Sequence, residues 1–196
     1  EDQADIGTYL EYECLPTGGW GYEMLPLHAR YLRNLGKEVL NMTGRFHRSW
    51  GDFGGIRSEA GLEYDCVYGL ANGLRPTIGD HYHPRGDLNP AVFDLIQTIY
   101  GRLQKLEPWI DEAVPAVDAA VVATGPQALG GAVIGATRML CELKTQFDVV
   151  TPAAQWKDYR LLVLPDTVVL DEALADQVRA HLTRGGGSDR QSSVRP

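Results

Sequence analysis

MTGRFHRSWGDFGG (residues 42–55) and RPTIGDHYHPRG (residues 75–86) decide how the rest of the chain is read. Each opens on a short β-favouring run and then turns abruptly into His, Asp, Arg, Trp and Gly. That mixture sets polar groups against flat apolar surface, as small-ligand sites require. Between the two, SEAGLEYDCVYGLANG (residues 58–73) has helical spacing, with Ser58 placed as an N-cap and Asn72-Gly73 as a stop. Strand, polar loop, helix, strand, polar loop predicts a parallel β/α sheet whose working edge lies at the carboxyl ends of its strands.

Upstream, TYLEYECLP (residues 8–16) alternates, so that Tyr9, Glu11, Glu13 and Leu15 share one strand face and Leu10, Tyr12 and Cys14 the other. The loop TGGWGYEM (residues 17–24) follows with Trp20 and Tyr22 between glycines, then a helix over residues 25–36 that ends at Gly36. Downstream, Asn89 and Pro90 open the clearest helix of the chain, with a stripe of Val92, Leu95, Ile96, Ile99, Leu103 and Leu106 that Pro108 is expected to close.

A boundary is expected at residues 112–115, beyond which the loops lose their His and Trp content. The pattern becomes strand (117–125), helix (131–146), strand (147–152), strand (159–170) and helix (171–182). Runs such as AAVV and RLLVL are continuously apolar, as strands covered on both faces must be. Leu174, Val178 and Leu182 recur every fourth residue behind an Asp171 cap. An open doubly wound unit is predicted, with its later strands missing. The division is then residues 1–112, residues 113–187 and a tail, 188–196, expected to be disordered.

The composition narrows the function classes. With 44% hydrophobic and 22% charged residues the chain reads as a soluble globular protein, and no apolar run is long enough to cross a bilayer. A net charge of -8 without a Lys/Arg cluster argues against nucleic acid as a partner. Three scattered cysteines, Cys14, Cys66 and Cys141, suggest neither a disulfide framework nor a zinc site, and favour a reducing, cytoplasmic location. The chain begins at Glu1 rather than Met, so it is read as a piece of something longer.

Taken together, EYECLPTGGWGY, FHRSWGDFGG, LEYD, GDHYHPRGDL and EPW resemble bacterial glycoside hydrolases of the α-L-fucosidase-like type, in which a (β/α)8 barrel precedes a β-galactosidase trimerisation domain. The resemblance runs from Thr8 to about Gly185. It implies that residues 1–112 are the last three β/α units of the barrel and that residues 113–187 begin a truncated flavodoxin-like α/β domain. It also implies hydrolysis of an α-L-fucoside or β-galactoside without a cofactor, and a homo-oligomer, with a trimer as one form, in the full-length protein. The first five barrel strands are absent, so the stretch is expected to be incomplete on its own.

Glycoside hydrolysis needs two carboxyl groups that flank the scissile bond, roughly 5–5.5 Å apart for retention and 6.5–9.5 Å for inversion. Glu11 and Glu13 stand about 7 Å apart along one strand, but from one wall they cannot flank a sugar. Glu13, nearer the strand's carboxyl end and with Trp20 expected as its apolar neighbour, is therefore the general acid/base candidate. Its partner is Asp52, Asp80 or a group outside this chain. Asp52 equally suits an Asx-turn that shapes its loop, and Glu11 suits an ion-pair partner. His47, Asp80, His81, His83 and Glu11 are candidates for binding sugar hydroxyls, and Trp20 and Trp50 for stacking on sugar C–H faces. His81 and His83 read as a same-face pair on a strand, yet no third ligand is spaced to make a metal site. Arg85 is expected to anchor its loop through Asp87, and Trp109 and Trp156 to pack. ATGPQALGG (residues 123–131) is a weak phosphate-loop candidate. The alternative to an enzyme is a non-catalytic sugar-binding or oligomerisation module. An amidotransferase-like activity is disfavoured because Cys141 falls inside a helix rather than at an elbow.

Overall fold

The computed structural model describes residues 2–124, 129–185 and 187–190. The chain divides into two units, Glu1–Pro115 and Ala116–Pro196.

In the first unit, helix α1 (Asp2–Ile6) leads into strand β1 (Leu10–Glu13), and a 3-10 turn (Pro16–Gly18) into helix α2 (Met24–Leu32). Strand β2 (Val39–Gly44), helix α3 (Glu59–Ala71), strand β3 (Leu74–Gly79), helix α4 (Pro90–Leu103) and the short helix α5 (Glu107–Ile110) follow. The three strands form one parallel sheet in the order β1-β2-β3, with Leu10 opposite Val39 and Val39 opposite Leu74. That register places Leu10, Val39 and Leu74 in one row. Val39 and Leu74 join Cys14, Leu25 and Ala29 in a buried cluster beneath α2, with half-buried Leu10 packed against it. Burial of each such aliphatic side chain contributes about 1.5–3 kcal/mol. A second cluster joins α3 to α4 through Leu62, Cys66, Leu70, Ile99 and Leu103. The opposite sheet face carries Glu11, Leu40 and Arg75 in one row and Glu13, Met42 and Thr77 in the next. Its residues are half-buried or exposed.

Both expected caps are made: Ser58 accepts the Gly61 N–H at the start of α3, and Asn89 accepts the Ala91 N–H at the start of α4. Other boundaries differ. Helix α2 stops at Leu32, and single turns carry the chain to Gly36, whose φ of 70° is left-handed. Pro108 does not close α4. It sits in the first turn of α5, where its missing N–H costs nothing, and Leu106 and Trp109 are exposed, Trp109 to 82%. Trp109 is therefore not a packing residue, whereas Trp156 is buried.

The second unit holds strand β4 (Ala119–Val122), helix α6 (Gly131–Glu142), strands β5 (Phe147–Val150) and β6 (Leu161–Leu164), helix α7 (Glu172–Thr183) and strand β7 (Gly187–Arg190). All pairings are parallel, in the order β5-β4-β6-β7. The apolar strands are buried as their sequence requires, and Ala120, Val122, Val150, Leu162 and Leu164 pack with Trp156, Leu174 and Val178. β6 is shorter than expected, because Pro165 and Asp166 turn the chain away after Leu164. The inner stripe of α7 is Leu174, Val178 and His181 rather than Leu182, which is 43% exposed. A step of seven from Leu174 to His181 keeps a residue on one helical face, where a step of eight rotates it outward. The tail expected to be disordered from residue 188 begins inside β7, and residues 191–196 lie outside the described residues, as do 125–128 of the phosphate-loop candidate.

Candidate functional site

The carboxyl ends of β2 and β3 are built on two glycines in register, Gly44 and Gly79. A Cβ on Gly44 would come within 2.3 Å of the Phe46 ring, and one on Gly79 within 2.4 Å of the Trp50 ring. Only glycine lets these aromatic rings lie directly on the strand ends. Phe46 is buried, and Trp50 leans on it at a centroid distance of 4.7 Å while staying 41% exposed. The Trp50 indole N–H donates to Glu13 Oε1 at 2.6 Å. One short bond thus ties the end of β1 to the β2 loop, across 37 residues of sequence. The indole bonded to Glu13 is that of Trp50, while Trp20, expected from sequence beside Glu13, is 46% exposed.

The β2 loop is held from both sides. Asp52 accepts the backbone N–H groups of His47 and Arg48 at 3.2 Å and of Gly55 at 2.9 Å. Although partial burial works against it, these backbone donors hold the Asp52 carboxyl below the usual carboxylate range. The geometry is that of a loop-shaping Asx residue. Arg45 grips the same loop, donating to the carbonyls of Phe53 at 3.2 Å and Gly55 at 2.6 Å, and reaches Asp80 Oδ1 at 2.6 Å on the β3 loop. Asp80 Oδ1 also takes the His81 backbone N–H at 2.7 Å, so this carboxylate fastens a strand end rather than the imidazole.

His81 and His83 do not share a strand face, because β3 ends at Gly79. His81 is only 7% exposed, with Phe46 and Phe53 rings at 4.6 and 4.7 Å and Trp50 edge-on at 6.0 Å. His83 is more open and accepts the Arg85 N–H on Nδ1. Arg85 anchors its loop to Asp87 at 3.1 Å, as the sequence suggests. His47 and Glu11 are exposed, Glu11 one row below Glu13. Among the described residues no group of three His, Cys, Asp or Glu side chains could hold a metal ion. No described helix is long and apolar enough to cross a membrane.

Glu13, Trp50, Asp80 and His81 are therefore brought to one rim, with Asp52 bracing the β2 loop from within. Two supporting groups escape a sequence reading. Arg45 is one; the other is Arg57, which donates to Asp65 Oδ2 and Thr43 Oγ1, both at 2.7 Å, in a nearly sealed ion pair that ties the returning loop to α3. Burial pushes the Asp65 carboxyl up while Arg57 and Thr43 pull it down. An Arg beside Phe and His in GRFHR was visible in sequence, but its Asp80 partner lies 35 residues away.

No family model matches the chain, and a search of curated proteins finds no match. Solved structures do match. The chain is 38% identical to α-L-fucosidase isoenzyme 2 from Paenibacillus thiaminolyticus, with a TM-score of 0.91 over 97% of this chain and 30% of that one. It shares its fold with β-galactosidases from Rahnella sp. R3 (14% identity, TM-score 0.75) and Bacillus circulans sp. alkalophilus (13%, TM-score 0.77). Each match covers 96% of this chain and 33% of the other. The chain thus resembles fucosidase-like glycoside hydrolases, as its motifs indicate, and spans about a third of the length of the enzymes it matches.

Proposed function

We propose that this chain supplies the last three β/α units of a (β/α)8 glycosidase barrel, and that its rim binds the sugar of an α-L-fucoside or β-galactoside with Glu13 as general acid/base. The observation that carries this reading is Glu13, fixed by the Trp50 indole at the carboxyl end of a parallel sheet beside exposed aromatic surface. A sugar C–H face stacks on such a ring while its hydroxyls seek Glu13 and His83. The half-exposed sheet face with Glu11 and Glu13 supports a barrel interior, since barrel strands point alternate residues inward. The 2-1-3-4 strand order of the second unit supports a flavodoxin-like start of a trimerisation domain, and with it a homo-oligomer of the longer enzyme.

With Asp52 and Asp80 engaged in loop bonds, this reading places the second carboxylate outside these strands. The same observation favours the alternative for this chain taken alone, a sugar-binding or oligomerisation module. Nitrophenyl α-L-fucoside and β-galactoside hydrolysis, measured on this chain and on any longer form containing it, separates the two. Glu13→Gln is expected to lower turnover by about 10²–10⁴-fold where turnover exists. Full activity in that variant removes Glu13 from the acid/base role, and neither binding nor turnover in any form removes the glycosidase reading.

A further inference from the structure

Beside the Glu13 rim, between the β3 loop and the start of α4, lies a cavity of about 310 Å³ lined by Arg45, Phe53, Asp80, His81, His83 and Leu88, among others. That volume is at the low end for small-ligand sites and suits one ring-sized group. Its charges are already matched, Arg45 with Asp80 and Arg85 with Asp87, so it offers no uncommitted guanidinium to an anion. What it does contain is an imidazole with unused hydrogen-bonding capacity. Neither Nδ1 nor Nε2 of His81 finds a hydrogen-bond partner among the described residues, and both are sealed from solvent. A buried polar group left unmade is costly, and such a group at a cavity wall needs a reason.

The cover is Phe53. Its ring lies on the imidazole at 4.7 Å and is 44% exposed, while its backbone is pinned by Arg45 and by the Asp52 turn. We propose that the Phe53 ring is a gate, and that on its displacement His81 hydrogen bonds a hydroxyl of a neutral saccharide ring seated in this cavity, with Phe53 and Leu88 offering the apolar wall. Neutral charge pairing, ring-sized volume and an unpartnered donor/acceptor fit a polyhydroxylated ring better than a charged or purely apolar group. This deepens the glycosidase reading and rests on it, adding a pocket adjoining the Glu13 rim.

The test uses the full chain labelled with ¹⁵N-histidine and ¹⁵N-tryptophan, titrated with L-fucose and with D-galactose. Saturable shifts of the His81 ring nitrogens, assigned by their loss in His81→Gln, are expected with at least one sugar. Shifts at the Trp50 indole with a silent His81, or silence at both, overturn the pocket; the glycosidase reading is decided separately by the nitrophenyl glycoside assay. The gate has its own readout, since Phe53→Ala removes a half-exposed ring and leaves the core intact. It should raise the carbethoxylation rate of His81 by about tenfold, the scale of a modest local opening, with exposed His47 as internal reference. An unchanged rate overturns the gate.

Discussion

Single residues show where local chemistry follows from burial. Cys14 and Cys66 are fully buried, and burial pushes their thiols up to about 11 and about 12 respectively, with the Asp65 charge adding to both. Thiols whose folded value exceeds the ordinary 9.0 are protonated and unreactive at neutral pH. In the folded chain iodoacetamide should modify half-buried Cys141 and spare the other two until denaturant is added, as peptide mass mapping would show. The same shifts fix a pH dependence. Folded values above unfolded ones mean that the stabilisation is complete below pH 9 and is lost as pH rises through 11 to 12, at about 1.4 kcal/mol per pH unit per thiol. Urea midpoints that stay level from pH 9 to 11 would contradict this.

At the level of elements, the packing of α3 on β2 depends on Gly69. A Cβ there would stand 2.7 Å from Asn41 Nδ2, which is already committed to the Asp65 carbonyl at 3.0 Å. Alanine gains about 1 kcal/mol over glycine in a helix interior. Displacing a buried amide and its bond costs about 1–3 kcal/mol on each count, so Gly69→Ala is expected to destabilise by about 1–5 kcal/mol. Gly101 in α4 has nothing within 4 Å of its would-be Cβ, so Gly101→Ala should stabilise by up to about 1 kcal/mol. Paired urea titrations of the two variants check both signs. Sequence revealed the caps of α3 and α4 because a cap is local. It did not reveal why Gly69 is glycine, because the neighbour that demands it sits 28 positions earlier in the chain, on another element.

For the molecule as a whole, the first sheet leaves β1 and β3 paired on one side only, and its Glu11, Met42 and Thr77 face is open or half-open. Unpaired parallel edges and a partly apolar face favour association. Sedimentation at tens of micromolar should show self-association of this chain, and a monodisperse monomer would contradict the view that this face is made to be covered.

The amino-acid pattern alone shows the parallel β/α grammar, the two main helix caps and the strand ends where chemistry would gather, because alternation, capping and loop composition act over a few residues. It also put Glu13, Trp50, Asp80 and His81 among the candidates. It took the folded chain to show that Trp50 donates to Glu13, that Asp52 and Asp80 fasten loops, and that His81 lies among the Phe46, Trp50 and Phe53 rings. Those outcomes turn on contacts between separate strand ends, and the register that aligns Gly44 with Gly79 is set by the packing of the whole sheet.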